Sequence, residues 1–239
     1  MSDPNAYRTA PPALGGLDAS EAVVGEFLRK VYGWMFVGLA LTSLVAWQVA
    51  ASPSLSAAIL GGNHLPFYAL LFGELGLVWW ISARVDRMAP GTAALLFLLY
   101  SALNGATLSV VLLVYTKTSV TSTFLTAAAM FGALAVYGTV TKRSLQGVGH
   151  FAMMGLIGVL VAMVIGFFWQ SDALQFVISV VGVIVFTALT AWDAQKLKAM
   201  ARALQGRESG GVAIVGALTL YLDFVNLFLF LLRFLGRRR

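Results

Sequence analysis

Three acids in this sequence sit inside long apolar runs, where a charge is costly. Glu74 lies in Phe72-Gly73-Glu74-Leu75-Gly76, Asp223 in Tyr221-Leu222-Asp223-Phe224-Val225-Asn226, and Asp193 ends Thr190-Ala191-Trp192-Asp193. An ionisable side chain at the centre of a membrane span costs ~2.5–3.5 kcal/mol on insertion scales, so each is a functional candidate by default. The two aspartates are related by spacing. Their midpoint, residue 208, falls in the turn-rich stretch Gly206 to Gly211, so each lies fifteen residues from the turn. At 1.5 Å rise per residue both stand ~22 Å from it, at one depth on consecutive antiparallel helices. Two carboxyls within hydrogen-bond reach in a low-dielectric interior cannot both ionise cheaply, so such a pair titrates as a unit and senses pH. Spacing leaves the rotation about each helix axis open.

The same helical faces carry Thr190, three before Asp193, and Thr219 and Asn226, four before and three after Asp223; these are expected to support the pair. Glu74 is expected to be shielded from lipid and bonded to a polar group of another helix. Arg84 and Arg87 are the cations nearest in sequence for a cytoplasm-facing aspartate, with topological anchoring as their plainer role. Asn104, in Ser101-Ala102-Leu103-Asn104-Gly105-Ala106, reads as a polar group that joins helices. His64 and His150 fall in expected loops at spacings unlike any metal motif, and without cysteine the chain has no thiol chemistry. No cofactor is expected.

The elements that must position these acids are membrane spans. Of 239 residues, 59% are apolar and 11% charged, against about 25% charged in a soluble domain, so the bilayer must be the solvent. The 16 basic residues and net charge of +6 sit in short clusters between apolar runs, which sets membrane orientation and argues against nucleic acid as a partner. Windows of about 20 apolar residues give spans at 31–51, 66–83, 93–115, 120–141, 151–169, 173–195 and 212–232. Val31 to Gly73 holds no formal charge, and its turn residues Ser52, Pro53, Gly61, Gly62 and Asn63 divide it into two helices with a loop at 52–65. The fold class is an all-α integral membrane protein, one seven-helix domain over 21–235. Residues 1–20, without the basic start and apolar stretch of a signal peptide, read as a disordered tail. Glu21 to Lys30 suit a short surface helix, and 236–239 form a basic tail. The repeated small residues Gly155, Gly158 and Gly166, or Gly132, Ala135 and Gly138, suit close helix packing.

With a cytoplasmic N-terminus, eleven basic residues fall on the cytoplasmic side: Arg8, Arg29, Lys30, Arg84, Arg87, Lys142, Arg143, Lys196, Lys198, Arg202 and Arg207. Lys117, Arg233 and Arg237 to Arg239 fall on the other. The first six spans obey the positive-inside rule. The basic end departs from it if the seventh span crosses fully, which is the expected course over a re-entrant one.

Several runs together resemble a known family. Gly73-Glu74-Leu75-Gly76-Leu77-Val78, Leu103-Asn104-Gly105-Ala106-Thr107-Leu108-Ser109, Trp192-Asp193 and above all Leu220-Tyr221-Leu222-Asp223-Phe224-Val225-Asn226-Leu227-Phe228 look like the Bax inhibitor family, the transmembrane BAX inhibitor motif proteins, in its bacterial form. The resemblance covers roughly 25–235. It implies a seven-helix bundle with the last helix central, wrapped by the other six, in a bacterial inner membrane. It also implies a pH-dependent calcium leak gated by an aspartate pair matching Asp193 and Asp223, with an arginine at the end of the second helix as their partner. The ungapped match to that arginine is Val85, and Arg84 stands one residue earlier, about 100° away around a helix.

The leading functional expectation is a cation leak, with calcium touching Asp193 and Asp223 in passing, since calcium prefers oxygen ligands. A second is a regulator that conducts nothing and binds other membrane proteins. A third, an intramembrane aspartyl protease, is disfavoured: Thr219-Leu220-Tyr221-Leu222 stands where a glycine-x-glycine lead-in belongs, and the Pro-Ala-Leu run is Pro12-Ala13-Leu14 in the tail. No enzymatic activity is expected.

Overall fold

In a bilayer every backbone N–H and C=O must find its partner inside the protein, so long apolar runs fold as helices. The computed structural model describes residues 14–61, 65–84, 88–169, 171–204 and 210–239. Among them are eight helices: α1 (Leu14–Ala51), α2 (Pro53–Leu60), α3 (Leu65–Arg84), α4 (Pro90–Val114), α5 (Lys117–Val140), α6 (Gln146–Phe168), α7 (Asp172–Leu204) and α8 (Gly210–Leu235). Seven are long and apolar enough to cross a membrane, all but α2, and the chain is an all-helical integral membrane protein.

The differences from expectation lie at helix ends. The loop foreseen at 52–65 holds α2, because Ser52 accepts from the Leu55 N–H and Pro53 occupies the first helical turn, a start signal rather than a plain turn. Residues 14–20, expected in the tail, are the first turns of α1, and 21–30 continue that helix with Val24 and Phe27 buried. His150 lies in α6, not in a loop. α7 has 33 residues where 173–195 was expected; at 1.5 Å each it is ~50 Å long and outruns a ~30 Å hydrocarbon core. Arg8, Pro12, His64, Val85, Arg87 and Arg207 lie outside the described residues.

α8 is the central helix. Of its most apolar stretch 72% is buried, against 39% in α7 and less in every other span. Its direct walls are α1, α4, α5 and α7, while α3 packs chiefly on α4 and α6 on α7. The other six helices therefore stand in two layers rather than one ring. α8 runs the full length of α4: Gly210 abuts Pro90 at one end, and at the other the Thr116 N–H donates to the Arg237 carbonyl and the Arg239 N–H to the Val114 carbonyl. That is a complete crossing, not a re-entrant loop.

Small residues set the closest approaches. A methyl group on Gly138 would strike the Ala191 carbonyl of α7, and one on Gly105 the Thr42 backbone of α1. Gly155 and Gly166 meet only side chains, of Val185 and Gln175, and Gly132 and Gly158 face open space, so the glycine spacing marks contacts at some positions and none at others.

Candidate functional site

α7 and α8 pack against each other, with Gly216 of α8 against the Leu197 side chain of α7. Asp193 is eleven residues before the end of α7 and Asp223 thirteen after the start of α8. Both are buried, at 7% and 5% exposure. They lie near enough for each carboxyl to act on the other. Asp223 Oδ2 is fully buried and no N–H or O–H of the described residues donates to it. A carboxylate can only accept, so the neighbour that would satisfy this oxygen is a proton carried by the pair.

The polar residues expected to support the pair are engaged elsewhere. Thr190 Oγ1 donates to the Phe186 carbonyl at 2.7 Å, Thr219 Oγ1 to the Val215 carbonyl at 3.1 Å, and Asn226 Nδ2 to the Leu222 carbonyl at 2.8 Å. Each bond runs back four residues along its own helix, the local option that hydroxyls and amides take when no tertiary acceptor is nearer. Arg84 is exposed in the last turn of α3 and makes no ion pair among the described residues. The cation whose field reaches Asp193 is Lys196, three residues on, with its ammonium 5.2 Å over the Trp192 ring.

Glu74 is buried, and another helix holds it. Asn104 Nδ2 donates to Glu74 Oε2 at 3.0 Å and the Thr107 hydroxyl to Oε1. The bonding continues: the Tyr221 hydroxyl donates to Asn104 Oδ1 at 3.0 Å and lies 2.6 Å from Thr42 Oγ1, which reaches the Ser101 and Gly38 carbonyls at 2.9 Å. One chain of hydrogen bonds thus joins α3, α4, α8 and α1 through the bundle interior. Tyr221 is completely buried, edge-on to Phe97 and Tyr100 with centroids at 5.7 and 5.8 Å. Sequence reasoning passed over it, although a tyrosine inside a span needs a partner for its hydroxyl.

No third histidine, aspartate or glutamate joins the aspartates among the described residues. The pair offers at most four oxygens, short of the six to eight that calcium takes.

This architecture and these acids can be set beside known proteins. A family model described as "Inhibitor of apoptosis-promoting Bax1" matches residues 24–239, nearly all of the chain. The chain belongs to the Bax inhibitor-1 family. Among its relatives in that family is the inner membrane protein YbhL of Escherichia coli K12, 46% identical over 231 residues, covering 95% of this chain and 98% of the relative. An uncharacterized protein of Borreliella burgdorferi is 41% identical over 219 residues, covering 91% and 94%. Protein RP147 of Rickettsia prowazekii is 40% identical over 220 residues, covering 90% of each.

Proposed function

We propose that this Bax inhibitor-1 family protein is a pH-sensitive leak for calcium or another cation in a bacterial inner membrane, with its N-terminus cytoplasmic and the Asp193–Asp223 pair as gate. The observation that carries the reading is the buried carboxyl pair across the α7–α8 seam, in which Asp223 Oδ2 has no protein donor. With one shared proton the pair makes a charge-assisted O–H···O⁻ bond, about twice as strong as a neutral one. Removing that proton sets two like charges side by side; at 4 Å and an effective dielectric of 20 their repulsion is ~4 kcal/mol. Adding a second proton removes the charge that strengthens the bond. The repulsion is comparable to the ~5.5 kcal/mol that turns a 1:99 equilibrium into 99:1, whereas the second proton weakens the bond by only ~1 kcal/mol. Calcium in this scheme is cargo that touches the carboxylates in passing, in keeping with a site of two acids.

The family description, an inhibitor of Bax1, favours a second reading: a regulator that binds other membrane proteins and conducts nothing. Purified full-length protein in proteoliposomes separates the two. Calcium flux that varies between pH 5 and 8 supports the leak, and no flux at any pH in that range leaves the regulator. A transmembrane peptide added to the same vesicles should stay uncut; cleavage would replace both readings with a protease.

A further inference from the structure

A cavity of about 860 Å³ opens at the end of the bundle where α5 meets α6 and α7 runs past them. Its lining includes Lys142, Arg143, Lys196, Lys198 and Arg202, and no aspartate or glutamate. Anchoring by basic residues is a general property of membrane proteins, and a fringe of flexible lysines would need no further account. Here the walls are fixed. Gln195 of α7 clamps the α5–α6 connection, accepting from the Leu145 N–H and donating to the Arg143 carbonyl, both at 2.8 Å. Lys198 Nζ donates to the Thr139 carbonyl at 2.8 Å, and Arg202 pairs with Glu21 at 2.6 Å. Two of the five cations are thereby committed to the wall. Lys142 and Arg143 have no carboxylate partner among the described residues, and Lys196 lies over Trp192 within the field of Asp193.

We propose that this cavity holds the phosphate head group of an anionic phospholipid, bound by Lys142, Arg143 and Lys196, with the acyl chains against α5 and α6. Charge complementarity selects the head group: three cations converge on a concave, acid-free wall. The surface beside it selects a lipid over a soluble anion. Val140, at 71% exposure, lines the cavity, and Tyr137 of α5 and Phe151 of α6 are exposed on the same two helices, so a head group seated here extends its chains onto apolar side chains of those helices. The basic cluster at the far end of the bundle differs, since Asp172 lines the cavity there with Arg233 and Arg238.

The test is native mass spectrometry of the full chain released from vesicles of mixed phosphatidylglycerol and phosphatidylcholine. One phosphatidylglycerol should be retained in preference to phosphatidylcholine. Lys142→Gln with Arg143→Gln should reduce that retention on the order of thirtyfold, the effect of two cationic contacts at an anionic membrane surface. The pair Arg233→Gln with Arg238→Gln should leave it within about twofold. All four side chains end at the surface, and a thermal melt of each variant confirms that it is folded. Equal losses in both variants, or retention without head-group preference, would mean diffuse attraction and overturn the site. Displacement of the lipid by millimolar inorganic phosphate would assign the cavity to a soluble anion and overturn the lipid.

Discussion

Tyr221 and Asp223 are two residues apart on α8 and therefore about 200° apart around it, and the two faces meet opposite kinds of partner. Toward α1 and α4, donors and acceptors alternate: Glu74 accepts from Thr107 and Asn104, Asn104 accepts from Tyr221, and Tyr221 meets Thr42. Toward α7, acceptor meets acceptor, and Asp223 Oδ2 has no protein donor. On our reading the first face is complete without a titrating proton and the second is completed by one. The central helix thus carries a fixed fastening on one side and, on our reading, a proton-dependent one on the other. A change at the aspartates can loosen the α7 seam while α8 stays bound to α1 and α4.

The largest effect should come from removing the titration. Asp223→Asn keeps the shape of the side chain, so the liposome leak should lose its pH dependence between about pH 5 and 8, while Glu74→Gln should keep the parent profile. A flat profile in the glutamate variant and a parent profile in the aspartate variant would reverse the roles of the two faces. Next comes Asn104→Leu, which strands Glu74 Oε2 and leaves the Tyr221 hydroxyl with Thr42 alone; leaving a buried polar group unpaired costs ~1–3 kcal/mol. Denaturant unfolding in mild detergent should show that loss with the pH response unchanged. Tyr221→Phe removes two interhelical bonds, to Asn104 and Thr42, each worth ~0.6 and at most ~1.7 kcal/mol in membrane proteins. A double-mutant cycle with Asn104→Leu should give non-additive losses; additivity would mean that the two residues do not act as one chain. Smallest of all, Thr190→Val and Arg84→Gln should each change stability by less than ~0.5 kcal/mol and leave the pH profile alone. A shifted profile in Arg84→Gln would bring the end of α3 into the gate.

Particular residues show what was legible beforehand. The seven spans were, because charges such as Arg84, Lys142 and Lys196 bound apolar runs of membrane length. Asp193 and Asp223 could be placed at one depth because helical rise is constant and the turn between them is short. Glu74 could be expected to find a partner on another helix because an isolated acid is too costly. Rotation about the helix axis was not legible, nor were the partners of the polar residues near the pair. Thr190, Thr219 and Asn226 were chosen by their spacing from the aspartates, yet a hydroxyl or amide within a helix always has the carbonyl four residues back within reach. Tyr221 was visible in the Tyr-Leu-Asp run, but its partner Asn104 lies 117 residues away, and no local pattern encodes that pairing. α2 was missed because Ser52-Pro53 serves equally as a turn and as a helix start.

The contact of Gly138 with the Ala191 carbonyl bears on where water could travel. At that level α5 and α7 meet backbone to backbone, with no layer of side chains that could part to admit an ion. Gly105 and the Thr42 backbone close the α1–α4 junction in the same manner. At these two points parting the helices means displacing whole backbones. Between α8 and α5 the contact is made by side chains instead: Phe124 and Phe131 lie edge-on to Phe224 at 5.4 and 5.6 Å. Rings can rotate aside without moving a helix axis, and a constriction of aromatic side chains stays dry until they do. On our reading, an ion passing between α8 and α5 would meet a barrier of wetting, set by phenylalanines that carry no charge.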